Sequence, residues 1–387
     1  MTSKSKTFHT TNVLIISIAH LVHDVYSSFL SPLLPLLVQK LGMSYGTAGM
    51  LVVFQRLPSL LNPVVGVVAE HMSLRFLVIL APAITTVSMS LLGLAPNYWV
   101  LAGLLFIMGV GSTLFHVPAP VMIRQSAGDQ TGRGMSYFML GGELARTLGP
   151  ITILAAVSWW GLEGSYKLIP LGLFCSGLLY LKFKDIKFSK PAVKQKLTAA
   201  HFGETLVRYS RVFLLISGIT VFRSTLRNAL TVFLPVFMHA KGSSLWTAGI
   251  ALSILQFAGA GGTLLSGIIS DKIGRRPTLV IAAVLTPGLM WMFLHTAGLL
   301  QMVILVVLGV VLFAYGPVML AIFQDLDSEY PVFVNSIYMT INFGINSLTT
   351  LMVGVLADHI GLDKTFALTV FLSIGCIPLS WMLKLKK

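Results

Sequence analysis

Long apolar runs separated by short polar turns organise this chain from end to end. Twelve such runs lie near residues 12–39, 46–69, 74–95, 98–123, 134–158, 164–183, 210–238, 245–269, 277–297, 300–324, 332–356 and 364–384. Each holds about 20 or more mostly apolar residues, enough to cross ~30 Å of hydrocarbon at 1.5 Å per residue. Helix is forced in such a setting, because an unpaired backbone amide in lipid costs several kcal/mol. The pattern therefore predicts an all-α membrane protein of twelve spanning helices.

Composition agrees. Of 387 residues, 55% are hydrophobic and 10% charged, with a mean hydropathy of +0.85. Soluble domains carry roughly 25% charged residues, so lipid must solvate much of this surface. The net charge of +14 resembles a nucleic-acid signal until the cations are located. With the N-terminus inside, nineteen Lys and Arg fall in cytoplasmic segments, against Lys40, Lys167, Lys241 and Lys364 outside. That asymmetry places both termini in the cytoplasm. It makes basicity a matter of topology and excludes nucleic acid as the partner. Cys175 and Cys376 sit inside apolar runs and read as packing residues. The first run is too long for a cleavable leader and continues as a span.

The longest polar connection contains KFKDIKFSKPAVKQK, which divides the chain into residues 1–183, a linker at 184–208, and residues 209–387. The two parts repeat each other. A shift of 200 positions lays Pro35 on Pro235 and Thr47-Ala48-Gly49 on Thr247-Ala248-Gly249. One residue further, Gly66 meets Gly267, Glu70 meets Asp271 and Arg75 meets Arg276. Repeated halves with a site between them near the bilayer midplane are common among secondary transporters.

The segments GIISDKIGRR (Gly267, Asp271, Gly274, Arg275, Arg276) and GVVAEHMSLR (Gly66, Glu70, Arg75) resemble the G-x-x-[AS]-D-x-x-G-R-[KR] signature of the major facilitator superfamily. The second copy is close; the first replaces Asp by Glu70 and Gly by Ser73. The resemblance implies two pseudo-symmetric six-helix bundles, with these turns as cytoplasmic gate clamps. GVLADHIG, at 354–361, is similar but lies on the outer side and reads as a helix end.

Polar groups at membrane depth cost ~2.5–3.5 kcal/mol per charge and are functional candidates by default. In the first span His20, His23, Asp24, Ser27 and Ser31 form one stripe. Glu143 and Arg146 are neighbours on the fifth, Arg56 lies on the second, and Arg223 and Arg227 lie four apart on the seventh. The eighth adds Gln256, and the eleventh adds Tyr338, Asn342 and Asn346. The 200-residue shift sets His23 against Arg223, so repeat symmetry would bring both stripes to one central cavity. Four arginines against two carboxylates, Asp24 and Glu143, leave a positive surplus that an anion would relieve. Internal pairing, Arg56 with Asp24 and Glu143 with Arg146, is the alternative for two of them, and it cannot absorb Arg223 and Arg227 as well. Asp24 is the expected proton carrier, with His20, His23 and Glu143 sharing that duty. The H-x-x-H-D spacing could instead hold a metal with His116 as third ligand. Nothing in the sequence places His116 beside the first span, and no metal is expected. The glycine clusters at 109–116 and 259–262 follow no strand, so they read as close helix packing rather than phosphate loops.

Leu114–Gly128 and Gly132–Ile151 are similar to the fosmidomycin-resistance group of major facilitator exporters. The likeness rests on Phe115-His116, Gly141-Gly142, Gly149-Pro150 and the His20/Asp24 pattern. Val117 before Pro118, and the charges Glu143 and Arg146, depart from that group. The resemblance implies proton-driven antiport exporting drugs such as the phosphonate fosmidomycin, hence efflux and antibiotic resistance. Our reading is a monomeric secondary transporter of a bacterial inner membrane, powered by the proton gradient with no other cofactor. Its partners are a small-molecule substrate and the bilayer. Arg223, Arg227, Arg56, Arg146, Asn342, Asn346, Tyr338, Gln256 and His116 are the expected substrate contacts. Uptake of an organic anion by symport, lysolipid flipping, metal-ion transport and a metal-dependent membrane enzyme are the alternatives.

Overall fold

The computed structural model describes residues 7–62, 74–186, 199–326 and 331–383. Every regular element among the described residues is helical. Ten stretches among them are long and apolar enough to cross a membrane. The other two expected spans fall short for separate reasons. The second runs into residues 63–73, outside the described set. The seventh, 210–238, is made by the end of Ala199–Asn228, the turn Ala229–Phe233 and Leu234–Ala240, and Arg211, Arg223 and Arg227 lower its apolar content.

The chain divides into two compact units, one of Met1–Met43 with Leu51–Ala192, the other of Ser44–Met50 with Val193–Lys387. In the first unit the helices are α1 (Thr10–Ser27), α2 (Leu30–Leu41), α3 (Tyr45–Arg56, which begins in the second unit), α4 (Leu74–Ser90), α5 (Tyr98–His116), α6 (Ala119–Ala127), α7 (Thr131–Trp160) and α8 (Ile169–Phe183). The first span, read from sequence as one run, breaks between α1 and α2. Pro32 has no N–H to offer the Ser28 carbonyl. The chain turns just before it, with the Ser28 N–H and Oγ both donating to the Asp24 carbonyl, at 3.1 and 2.7 Å. Pro118 interrupts the fourth span in the same way, so α5 ends on His116.

The face of α7 that meets α1 is built from glycine. A Cβ on Gly141 would stand 2.5 Å from the Ser17 carbonyl oxygen, and one on Gly149 would stand 2.6 Å from the Ser28 Cβ. Small residues let helix backbones approach where lipid supplies no hydrophobic drive. This seam brings the α7 backbone within reach of α1 side chains. Gly109 and Gly111 on α5 are used similarly: a Cβ on Gly111 would meet the Thr85 hydroxyl at 2.7 Å.

The second unit holds α9 (Ala199–Asn228), α10 (Leu234–Ala240), α11 (Leu245–Ile273), α12 (Arg275–His295), α13 (Gly298–Phe313), α14 (Tyr315–Gln324), α15 (Pro331–Ile360), α16 (Leu362–Ile374) and α17 (Cys376–Met382). Between α9 and α10 lies a π-helical turn, Ala229–Phe233, where Pro235 cannot donate back to Thr231. Such widened turns are frequent at functional sites. Gly259 on α11 faces the Phe313 ring of α13, and Gly262 lies against the Val310 backbone, so this cluster is helix packing too. Both cysteines are free and buried.

Candidate functional site

The first unit gathers its ionisable side chains around Asp24. His20 Nε2 stands 3.2 Å from Asp24 Oδ2, and His116 Nε2 stands 3.2 Å from Asp24 Oδ1. His23 Nε2 is 3.9 Å from the same Oδ1. The Pro118 break puts His116 at the end of α5, and the glycine seam fixes His20. A Cβ on Gly142 would lie 2.6 Å from His20 Cε1, so only glycine leaves room for the ring. With that room His20 stacks on the Phe138 ring at 4.0 Å, and its Nδ1 meets the Phe138 carbonyl at 2.7 Å. A carbonyl only accepts, so Nδ1 carries a proton and donates it. Nε2 of a neutral His20 then points a lone pair at a carboxylate oxygen. That contact is repulsive unless a positive charge is shared across it. Behind the carboxylate, His23 is fully buried, stacked on Phe115 at 4.8 Å, and neither ring nitrogen has a hydrogen-bond partner.

Other polar groups of this unit make contacts of their own. Glu143 Oε1 accepts from Arg146 Nη2 at 2.5 Å, one helical turn away. The guanidinium is thus largely neutralised on its own helix. Arg56 ends α3, and among the described residues it forms no ion pair with Asp24 or any other acid. Its Nη1 is buried without a hydrogen-bond partner. Next to it, Gln55 Nε2 donates to the Ser27 carbonyl at 3.2 Å, tying α3 to the break in the first span.

In the second unit the π turn follows directly on the polar stripe of α9. Arg223 is 5% exposed, its guanidinium lies 5.5 Å from the Tyr315 ring centre, and its Nε has no hydrogen-bond partner. Among the described residues no carboxylate pairs with it. Arg227, one turn on, lies over the Phe313 ring at 4.8 Å. Each cation thus rests on an aromatic face of the tenth span, an attraction of ~0.5–2 kcal/mol. Tyr338 is buried against Phe323. Asn346 Nδ2 donates to the Asn342 carbonyl at 2.7 Å, and its Oδ1 is buried without a partner. Gln256 is partly exposed on α11. Asn228 escapes the sequence reading although it extends the same stripe. It is 1% exposed, and its Nδ2 donates to the Asn346 carbonyl and the Thr349 hydroxyl, both at 2.9 Å.

A family model for the Major Facilitator Superfamily matches residues 16–350. The chain belongs to that superfamily. It is therefore a membrane transporter rather than an enzyme, and its architecture is two pseudo-symmetric bundles of six spanning helices. Among characterised sequences it is 24% identical over 370 residues to the fosmidomycin resistance protein of Escherichia coli (strain K12), covering 93% of this chain and 89% of that one. A multi-drug resistance efflux pump PmrA homolog from Lactococcus lactis is 21% identical, covering 67% of this chain and 66% of the other. Two solved structures share the fold. A bacterial homolog of the human lysosomal transporter Spinster, inward-facing and occupied, has TM-score 0.81 at 14% identity and covers 98% of this chain and 97% of that one. The D-xylose-proton symporter has TM-score 0.78 at 14% identity, over 97% and 98% of the two chains.

The signature segment of the second half is held by contacts to two helices. Gly274 closes α11 at φ +98°, a conformation that suits glycine, and hands the chain straight into α12. Arg275 then pairs with Asp271 on α11, donates to Ser270 Oγ at 2.7 Å, and reaches Asp325 at the end of α14 at 3.0 Å. Arg276 lies over the Trp381 ring at 4.8 Å. In the first half, Arg75 donates to the Ile186 carbonyl at 2.9 Å, while Gly66 and Glu70 lie outside the described residues. Gly267 sits on α11 with open space where a Cβ would be. Asp358, near the end of α15, accepts from the Tyr45 and Gly46 N–H groups at 2.6 and 2.7 Å, capping the start of α3.

Proposed function

We propose that this major facilitator exports a small anionic or amphipathic compound across a bacterial inner membrane in exchange for protons. The observation that carries the reading is Arg223, a buried guanidinium with an open Nε and no carboxylate beside it among the described residues. Arginine stays charged in proteins and presents a planar fork suited to carboxylate, phosphate or phosphonate oxygens. A substrate anion on Arg223, aided by Arg227 and the amides of Asn342 and Asn346, supplies the charge that the bundle leaves out. The likeness to a fosmidomycin resistance protein favours export of a phosphonate-like compound.

Coupling falls to the cluster around Asp24. The His20 contact needs one positive charge, which a single shared proton supplies, and His116 offers a second acceptor at the same distance. Loading and unloading that proton changes whether α1 and α5 attract one another through the carboxylate. Glu143 and Arg146, paired on one helix, serve as a second polar step.

The test uses inverted vesicles energised by a pH gradient, with phosphonates and organic anions as candidate substrates. Arg223→Ala is expected to abolish substrate binding, measured by thermal shift in detergent. Asp24→Asn should keep that shift but lose gradient-driven accumulation. Coupled transport unchanged in Asp24→Asn would remove this carboxylate from the mechanism, and an undiminished shift in Arg223→Ala would remove the anion site.

A further inference from the structure

The donors around Asp24 are arranged like a coordination shell, which one proton does not require. His20 Nε2, one Asp24 carboxylate oxygen and His116 Nε2 all lie within 4.8 Å of one another. In a tetrahedral zinc site, N and O ligands at roughly 2.0–2.2 Å from the metal stand ~3.3 Å from each other. The two N···O separations here are both 3.2 Å, one to each oxygen of the carboxylate: His20 Nε2 to Oδ2 and His116 Nε2 to Oδ1. The carboxylate thus has an imidazole nitrogen at hydrogen-bonding range on each of its two oxygens.

The surroundings fit as well. A metal-binding imidazole characteristically donates its second nitrogen to a backbone carbonyl or a carboxylate, which fixes the tautomer and turns the other lone pair to the ion. His20 does this through Nδ1 and the Phe138 carbonyl. Its ring is clamped by Phe138, and Phe115 holds His23 with both nitrogens unpartnered behind the same carboxylate. The His116 side chain is 38% exposed, so its ring is not enclosed on every side by the bundle. Two imidazoles and a carboxylate favour a first-row divalent ion over magnesium or calcium, which take mainly oxygen.

We propose that His20, Asp24 and His116 form a binding site for a divalent transition-metal ion of the zinc class, water completing its shell. Closing the longest edge takes about 1.5 Å of movement by the half-exposed His116 ring. The ion and the coupling proton are alternative occupants of one set of donors. Binding is read with no substrate and no gradient present, so its failure leaves the export reading standing.

Tag-free full-length protein in detergent is dialysed against micromolar zinc chloride, and bound metal is measured by elemental analysis and calorimetry. About one equivalent per chain is expected, with affinity lowered at least 10–100-fold by Asp24→Asn or His116→Ala, and unchanged by the surface variants His295→Ala and His359→Ala. Cobalt added to His116→Cys should give a thiolate-to-metal absorption band in the near ultraviolet, a readout that holds even if the alanine variant folds poorly. Absence of saturable binding overturns the proposal. Retention of full affinity in Asp24→Asn, or cobalt-loaded His116→Cys without the thiolate band, overturns it equally.

Discussion

Replacing Gly142 by alanine tests whether the α1–α7 seam controls the cluster chemistry. The added methyl would sit 2.6 Å from His20 Cε1 and 2.9 Å from Nε2. Ordinary carbon contacts lie near 3.5–4.0 Å, so ring or helix must yield by about 1 Å. The ring is pinned between Phe138 and its 2.7 Å bond to the Phe138 carbonyl, and movement on that scale breaks the bond. Overpacking of this kind costs ~1–3 kcal/mol, to which a lost hydrogen bond adds about 1 kcal/mol. Gly103→Ala is the matched control, since Gly103 lies on α5, is exposed, and has nothing within 4 Å of a new Cβ. There the better helix propensity of alanine should give a neutral or slightly positive effect. Thermal unfolding in detergent and initial transport rates are measured for both. A clear drop in midpoint together with slowed transport is expected for Gly142→Ala alone. Equal behaviour of the two variants would refute the claim that the seam sets the position of His20.

Two further substitutions probe other parts of the chain. Asn228→Leu removes a buried donor to the Asn346 carbonyl and the Thr349 hydroxyl; a loss of ~1–3 kcal/mol in unfolding stability is expected, and no change would show those acceptors satisfied elsewhere. Asp325→Asn leaves Arg275 paired with Asp271 alone. Because Asp325 is exposed, the stability change should stay below ~1 kcal/mol, while transport slows if this contact acts as a gate; an unaltered rate would make the contact merely structural.

The fold was legible because lipid imposes a coarse rule: long apolar runs become helices whatever their detailed sequence. The breaks were less legible. Pro32 and Pro118 are visible as letters, but whether a proline bends or ends a span depends on what its neighbours offer the freed carbonyl. Pro150 and Pro287 sit inside unbroken helices. The stripe on α1 could be read from spacing. Its third imidazole could not, since His116 is 92 positions away from Asp24 and only the packing of α1, α5 and α7 sets their separation. The partner of His20 was beyond reach in a different way, being a main-chain oxygen that carries no residue signature. Glu143 with Arg146 was readable at once, because two residues three apart on a helix must meet.

That main-chain oxygen has an evolutionary corollary. Any amino acid placed at position 138 still presents a carbonyl, so no point change there deletes the acceptor that orients His20. Variation can alter the tautomer only by shifting the backbone itself. Lineages that diversify side chains elsewhere in the chain therefore inherit the same orientation of His20 without having to select for it residue by residue.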